Sequence, residues 1–449
     1  MIFSRILLIT LLLFIITPEP SSAQAEKSTI ESFKLKNGME VILIPSHRVP
    51  AVTQMLWYRV GAADDFAGRT GLAHYNEHMM FQGTNKLAAG EFSRIISSKG
   101  GRFNAFTGRD FTAYHVSISV ENLPLVMEYE ADRMLNLAPT SENFTKEREV
   151  IIEERRMSID NKPDALLAEE MQALLFRNHP YKNPVIGWMS EMQALSREDV
   201  LAFHKKFYHP ANAVLVVAGD IERAQLQEMA EKYYGVLPSG EKYVRNWQQE
   251  PPQRGARHTE LKHKNVTQPE LVRYYTAPSV SGDKKDLVVP SFLLTQILGG
   301  GNSSILYQEL VVKQKIATNI SISFDGIVSG IGTMEIYANP ASGVSLAKLE
   351  SAIDKAISEI NIKKIPDSEI KRARILLKAE TIYARDNMEN MAHTLGALIL
   401  SGLPVDYFDN WAKFIDNVTS DDIEKAFKEI FKPENSVTGY LLPEEKAKK

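Results

Sequence analysis

Residues 71–81 read Gly-Leu-Ala-His-Tyr-Asn-Glu-His-Met-Met-Phe, and this stretch is the most informative in the chain. On a helix, His74 and His78 lie one turn apart on the same face, so both imidazoles can converge on one ion. Glu77 stands beside that face, where its carboxylate can reach a water without being a ligand. Two neutral nitrogens suit zinc, whose catalytic sites combine three protein ligands with one open position. The stretch therefore predicts a metal-binding helix that lacks one ligand.

The alternative interpretation of this stretch is a pair of surface histidines on a solvated helix. A chance H-x-x-E-H has a probability of roughly 2% in a chain with this many histidines, so the motif alone is fairly specific. The other histidines lack a ligand partner at helical spacing, and we expect them to be surface or packing residues. They are His47, His115, His204, His209, His258, His263 and His393.

The missing ligand has to come from another segment, and residues 147–156 offer a candidate. They read Glu-Arg-Glu-Val-Ile-Ile-Glu-Glu-Arg-Arg. On a helix, Glu147 and Glu154 lie two turns apart on one face, whereas Glu153 projects about 100° away from Glu154. A helix that presents Glu154 to the ion, with Glu147 behind it, would complete a His/His/Glu site. Taken alone, these ten residues are better explained as a charged helix face in solvent.

The composition of the 449-residue chain narrows both the class of protein and the kind of site. With 44% hydrophobic and 24% charged residues, the chain is typical of a globular protein rather than a disordered one. Its 52 basic and 56 acidic residues give a net charge of −4, too mild to favour a nucleic-acid or membrane surface. The absence of cysteine excludes disulfides, thiolate nucleophiles and cysteine-ligated metals. Any metal must therefore be held by His, Asp and Glu.

The first 23 residues have the pattern of an export signal. Arg5 precedes an eleven-residue, largely apolar run from 6 to 16, and small residues lead up to Ala23. That run is shorter than the roughly 20 residues needed to span a bilayer, so an uncleaved anchor is the less favoured alternative. We expect cleavage after Ala23, or after Ala25, to release a chain without stable membrane contact. An exported chain without cysteine predicts a periplasmic location.

Beyond the signal, strand patterns alternate with helix patterns, and two features divide the chain. Residues 241–257 are polar and rich in proline, which is typical of a linker. A shift of 223 positions aligns residues 199–214 with 422–437, and each copy reads as a helix, a Pro-x-Asn turn and a buried strand. We therefore expect an α+β protein with two homologous α/β-sandwich domains, each a mixed sheet covered by helices, over 24–240 and 258–449.

These motifs resemble those of the pitrilysin/insulinase zinc metallopeptidases, the inverzincins, and in particular the bacterial relatives of the mitochondrial processing peptidase. H-x-x-E-H, at residues 74–78, is the inverted zinc motif of that family. The family's third ligand is a glutamate about 76 residues after the second histidine, in a segment like E-R-x-V-I-x-x-E. Residues 147–154 match this segment, and 154 − 78 = 76.

The resemblance implies a role for each residue of the site. It assigns one zinc ion per chain, with His74, His78 and Glu154 as its ligands. It also assigns Glu77 and Glu147 as the catalytic carboxylates, with Glu77 activating a zinc-bound water and Glu147 supporting the site. Without the resemblance, Glu153 stays the nearest rival of Glu154.

Residues 101–114 resemble the family's pair of strands beside the active site, with the pattern N-A-x-T…T-x-Y. In the family the edge strand binds the substrate backbone by β-augmentation, which implies substrate contacts at Asn104, Ala105 and Phe106. Read without the family, this segment is only a turn that enters a strand.

Two positions depart from the family's pattern. Ile305 stands where many relatives have Arg, and Thr318 stands where they have Tyr. In relatives these groups help to hold the scissile region from the second domain. Their absence raises the question of whether the second half of this chain completes its own active site.

The resemblance also implies a function. Two homologous domains would form a clamshell around a closed chamber, in which an exported zinc endopeptidase hydrolyses peptides or unfolded segments. The alternative is a structural or regulatory subunit of a heteromeric peptidase with little activity alone. In either case we expect a homodimer or a heterodimer with a related chain. A two-lobed binding protein is a weaker third option, because it has no need of three metal ligands and a base.

Overall fold

The structure is a computed structural model that describes residues 30–385 and 387–444, with only the backbone described for 381–385. The predicted signal peptide, residues 1–23, and both of its proposed cleavage sites lie outside these residues. Within the described part of the chain, no helix is long and apolar enough to cross a bilayer.

Two mixed sheets organise the fold. The strands are β1 Glu31–Lys34, β2 Glu40–Pro45, β3 Ala51–Tyr58, β4 Arg102–Thr107, β5 Thr112–Ser119, β6 Ala213–Gly219, β7 Arg257–His263, β8 Glu270–Ala277, β9 Ala317–Asp325, β10 Gly332–Pro340 and β11 Ser436–Pro443. The first sheet has the order β1-β2-β6-β3-β5-β4 and the second the order β7-β11-β8-β10-β9. Only β2 with β6 and β7 with β11 pair in parallel. Apart from the extra edge strand β1, the two sheets have the same topology.

Helices cover both sheets. They are α1 Leu72–Met79, α2 Glu91–Ser98, α3 Leu123–Asn136, α4 Ser141–Arg155, α5 Pro163–Leu175, α6 Met189–Ala194, α7 Arg197–Phe207, α8 Arg223–Tyr233, α9 Val288–Gly299, α10 Ile305–Tyr307, α11 Leu346–Ser358, α12 Asp367–Arg385, α13 Met388–Leu400, α14 Tyr407–Asn417 and α15 Ser420–Ile430. The strand β6 is buried over its whole length, which explains its unbroken apolar sequence.

The sequence repeat corresponds to a structural repeat. Helix α15 begins and ends 223 residues after α7, since 197 + 223 = 420 and 207 + 223 = 430. Both helices start with a capping box, Ser196 with Asp199 and Thr419 with Asp422. Each is followed by a short 3₁₀ turn and then a central strand, β6 or β11. The duplication expected from the sequence is therefore present in the elements themselves.

The polar segment 241–257 divides the chain into two halves. One helix of each half packs on the sheet of the other half, and we call these two the exchanged helices. Helix α5 of the first half buries Leu167 and Met171 in a cluster with Val437 and Leu441 of β11 in the second sheet. In return, α13 of the second half covers the face of the first sheet that α1 and α7 leave free. Each sheet is thus covered on one face by its own helices and on the other by a helix from the opposite half.

A glycine lies at each of these two crossings. On α13, a Cβ atom at Gly396 would lie 2.1 Å from the ring of Trp57, which is fully buried in β3. On β11, a Cβ atom at Gly439 would lie 2.4 Å from the sulfur of Met171 in α5. The rigid ring at Gly396 therefore leaves no room for a side chain, whereas at Gly439 the flexible side chain of Met171 fills the space.

The polar segment is anchored to both halves although it has no helix or strand before its last residue, Arg257, where β7 begins. Arg245 binds Asp64 of the first half at 2.9 Å and the Ser329 hydroxyl of the second half at 2.9 Å. The carboxylate of Glu250 accepts hydrogen bonds from three successive backbone N–H groups, those of residues 177–179, at 2.8 to 2.9 Å. The segment therefore holds a defined path between the two sheets.

Candidate metal centre

The metal-binding helix predicted from residues 71–81 is α1, and a carboxylate outside the helix fixes its start. Gly71, with φ of 89°, offers no side chain to cap the helix. The carboxylate of Asp65 instead accepts hydrogen bonds from the N–H groups of Gly71 at 2.7 Å and Ala73 at 2.8 Å. Burial raises the pKa of Asp65 well above its usual value, and these bonds oppose that rise. The rings of His74 and His78 follow on one face of α1, with centroids 4.8 Å apart.

Helix α4 brings Glu154 to the two histidines. One carboxylate oxygen of Glu154 lies 3.7 Å from Nε2 of His74, and the other lies 3.3 Å from Nε2 of His78. Ligand atoms of the three residues all lie within 4.8 Å of one another, and no other group of three possible ligands is this close in the described chain. The side chain of Glu153 is 57% exposed and pairs with Arg156 at 3.2 Å.

Glu147 holds one of the histidines from behind. The Nδ1–H group of His78 donates to one oxygen of Glu147 at 2.8 Å, and the amide of Gln82 donates to the other at 2.6 Å. Burial lowers the pKa of His78, but the bonds to Glu147 and Glu154 outweigh burial and raise it overall. Burial, followed by the charge on His78, lowers the pKa of His74. A metal that binds both rings would therefore displace a proton from His78.

Glu77 lies beside the three clustered side chains without joining them. The hydroxyl of Thr107, at the end of β4, donates to one of its oxygens at 2.5 Å. Burial raises the pKa of the Glu77 carboxyl, and the bond from Thr107 opposes that rise. A cavity of about 510 Å³ opens here, and its lining includes His74, Glu77 and Glu154.

The three predicted substrate residues lie on β4, the edge strand of the first sheet next to the cavity. Ala105 packs on the side of the sheet that carries α1. The side chain of Asn104 is exposed and accepts a hydrogen bond from the N–H of Ala105. The ring of Phe106 packs against Trp57 and His393, with centroids 5.3 and 5.0 Å away, on the face covered by α13. Ala105 and Phe106 also line the cavity.

The two positions that depart from the family's pattern lie away from the cavity. Ile305 begins α10 and is partly buried, and Thr318 is exposed on β9, the edge strand of the second sheet. All described residues that line the cavity come from the first half of the chain. The described residues of the second half therefore contribute no side chain to the lining.

Sequence reasoning missed two residues next to the site. Asp65 caps α1, as described above, and Arg155 follows Glu154 directly on α4. An acidic residue shortly before the predicted helix start was the one signal available for Asp65. Nothing in the spacing distinguished Arg155 from the exposed Arg156 beside it.

Comparison with known proteins identifies the group to which this fold and site belong. The profile of the insulinase family, peptidase family M16, matches residues 40–188, and that of the peptidase M16 inactive domain matches residues 194–377. The zinc protease PqqE of Helicobacter pylori is 31% identical over 425 residues, 94% of each chain. The chain belongs to family M16. The family predicted from the sequence motifs is thereby confirmed.

Solved structures of M16 proteins share the fold. A protease from Helicobacter pylori superposes with a TM-score of 0.85 at 27% identity, over 93% of this chain and all of that one. The first half of the periplasmic protease PqqL from Escherichia coli gives a TM-score of 0.79 at 19% identity, over 93% of this chain and 92% of that one. The predicted fold class, α+β with two mixed sheets covered by helices in two related halves, is confirmed.

Proposed function

We propose that this M16 chain is a zinc endopeptidase that hydrolyses peptides or unfolded segments. The observation that carries the proposal is the convergence of His74, His78 and Glu154, with ligand atoms within 4.8 Å of one another and Glu77 alongside. A free carboxylate next to three possible metal ligands, at the edge of a sheet, is the arrangement that metal-assisted peptide hydrolysis requires. The name of the Helicobacter relative, a zinc protease, agrees with it.

The side chains fit zinc. Two imidazole nitrogens and one carboxylate oxygen form the donor set, which matches catalytic zinc sites with three protein ligands. Because Glu147 binds Nδ1 of His78, the Nε2 atom of that ring is left facing Glu154. When bound, zinc supplies Lewis-acid polarisation of a peptide carbonyl and lowers the pKa of water.

Glu77 is the proton carrier in this proposal. Thr107 holds one oxygen of its carboxylate, which leaves the other free to accept a proton from the attacking water. Burial raises the pKa of Glu77, so the carboxyl can keep that proton and then deliver it to the leaving amine. The residue thus acts first as a base and then as an acid.

The edge strand β4 defines the form of the substrate. No described strand pairs with its outer edge, so an extended peptide can bind there by adding a strand to the sheet. Residues 104–106 would align such a peptide next to Glu77. A compact folded protein presents no free strand at this edge, so the substrates are peptides or unfolded segments.

Replacement of Glu77 tests this mechanism. We expect Glu77→Gln to bind zinc as the parent does and to lose peptide hydrolysis by a factor of about 10² to 10⁴, because the amide cannot accept the proton. The readouts are metal content and product identification from a peptide library. Glu153→Gln, on an exposed side chain of the neighbouring helix, is the control. Full hydrolysis by Glu77→Gln would remove this residue from the mechanism.

The second candidate function is a subunit with little activity alone, in a dimer with a related chain. It is favoured by the observation that the described cavity lining comes from the first half and does not include Ile305 or Thr318. Assays of the purified chain alone and with the products of neighbouring genes separate the two functions. Hydrolysis that appears only with a second chain would support the subunit.

We further propose export to the periplasm, which is supported by the signal pattern of residues 1–23. Amino-terminal sequencing of the chain from a periplasmic fraction should begin at residue 24 or 26. A chain that retains Met1 in the cytosol would contradict export.

A further inference from the structure

Arg155 is buried next to a candidate zinc ligand and has several polar contacts. It ends α4 directly after Glu154 and is 5% exposed. Its guanidinium binds both oxygens of Glu169, each at 2.9 Å, and donates to the carbonyl of Gly187 at 2.9 Å. Asp160, at the end of the π-helical turn that follows α4, lies 3.4 Å away. A buried bidentate arginine pair of this kind fixes orientation as well as charge.

The contact with Gly187 leads to the other ligand-bearing helix. A Cβ atom at Gly187 would lie 2.5 Å from the carbonyl of Thr70 and 2.8 Å from Cα of Gly71, so this backbone rests on the start of α1. The N–H of Trp188 also donates to the Thr70 hydroxyl at 3.0 Å. Arg155 therefore joins α4, which carries Glu154, to the segment on which α1 begins.

The contact with Glu169 leads to the second half of the chain. Glu169 lies on α5, whose apolar residues Leu167 and Met171 are buried against β11. On β11, a Cβ atom at Gly439 would lie 2.4 Å from the sulfur of Met171 and 3.0 Å from Leu167. The guanidinium of Arg155, at the end of α4, thus binds α5 directly through Glu169 and reaches the start of α1 through the backbone of Gly187.

We infer that Arg155 is a positioning residue for the candidate metal centre, setting the distance between Glu154 and the two histidines and linking that distance to the packing of α5 on the second sheet. The inference rests on the proposed function, in which these three residues hold zinc. Groups that orient metal ligands typically change metal affinity 10- to 100-fold when they are removed. A pair with a purely structural role would lower stability and leave zinc affinity unchanged.

The first test compares zinc affinity in matched variants of the full chain. Arg155→Lys keeps the positive charge beside Glu169 but cannot form the bidentate pair and the bond to Gly187 together. Arg155→Met removes all three bonds. The control is Arg156→Met, since the side chain of Arg156 is 53% exposed. Zinc affinity is measured by competition with a chelator, and urea unfolding of the metal-free chains shows which variants are folded.

We expect Arg155→Lys to bind zinc about tenfold more weakly than the parent or worse, with Arg156→Met within about twofold of the parent. If Arg155→Met does not fold, the zinc affinity of Arg155→Lys alone tests the inference. A folded Arg155→Lys chain with the parent's zinc affinity would overturn the inference. A parent chain that binds no zinc would overturn the proposed function and this inference together.

The second test concerns the link to the second half. Gly439→Val crowds the Met171 and Leu167 side chains of α5 where they pack on β11, whereas Gly255→Val is the control because nothing lies within 4 Å of a Cβ atom there. We expect Gly439→Val to weaken zinc binding several-fold in the parent and to add little in the Arg155→Lys background, because the link is already broken. Equal weakening in both backgrounds would show that the effect bypasses Arg155.

Discussion

Glu153 and Glu154 are adjacent carboxylates on α4, and only one of them faces the histidines. Glu154 lies 3.3 Å from Nε2 of His78, whereas Glu153 lies in solvent beside Arg156. We expect Glu154→Gln to lose stoichiometric zinc, because a neutral amide is a poor replacement for the carboxylate ligand. Glu153→Gln should keep one zinc per chain. Metal analysis after dialysis measures both, and the reverse result would make Glu153 the ligand.

The sequence predicted those site residues that lie on one helix, but not those that tertiary packing brings together. Helical spacing relates residues on one helix, so it found His74, His78 and Glu77 directly. The choice of Glu154 over Glu153 depended on the family resemblance, because spacing alone allowed either. Arg155 could not be predicted, since its partners Glu169 and Gly187 lie 14 and 32 residues away and are brought to it only by tertiary packing.

His204 was expected to be a surface or packing residue, and it packs against the ring of Tyr208. It is buried, and its Nε2–H donates to the carbonyl of Arg133 at 3.1 Å. Burial lowers the pKa of His204 to about 4. In the unfolded chain the imidazole therefore binds a proton near pH 6.5, whereas in the folded chain it binds one only near pH 4.

The consequence is a loss of stability in acid. As the pH falls from 6.5 to 4, His204 should lower the free energy of unfolding by up to about 3 kcal/mol. His204→Gln retains a donor for the Arg133 carbonyl but cannot titrate, so its stability should fall less over this range. Urea unfolding at several pH values measures the difference, and pH 8 is the reference because the imidazole is neutral in both states there. Parallel pH curves for the two chains would contradict the prediction.

At the scale of elements, the exchange of α5 and α13 is the feature that the sequence did not show. An amphipathic pattern indicates that one face of a helix is buried, but it does not indicate which sheet buries it. Some features could be predicted from the sequence because they rest on local or periodic signals. They are the order of strands and helices, the 223-residue repeat and the polar segment 241–257. The partner of each exchanged helix is set by contacts between residues far apart in the sequence, such as those between α5 and β11.

The crossing of α13 over the first sheet gives a prediction at this scale. A methyl group at Gly396 would overlap the ring of Trp57, which is rigid and fully buried. We expect Gly396→Ala to lower the free energy of unfolding by about 1–3 kcal/mol, the usual cost of overpacking a core. Gly255→Ala, in open space, is the control. Urea unfolding measures both, and equal stability of the two variants would show that α13 can shift without cost.

At the scale of the whole molecule, the exchange joins the two halves into one structural unit. Removal of the second half would expose the sheet face under α13 and the apolar face of α5 together. Exposure of these apolar surfaces to water is unfavourable, because burial of apolar area is the main favourable term in folding. The proposed domains 24–240 and 258–449 are therefore expected to depend on each other for stability.

A cut in the polar segment tests this dependence. Arg254 and Gly255 are exposed and lie outside every helix and strand, so a protease site inserted between them should be cleaved without disturbing the fold. We expect the two fragments to elute together on size exclusion in buffer, because α5 and α13 remain buried in the opposite sheets, and to separate only in denaturant. Zinc binding by the cut chain should match that of the uncut chain, since the anchors Arg245 and Glu250 stay on the first fragment. Fragments that separate in buffer while each stays folded would show that the halves are independent domains and that the exchanged helices contribute little to their association.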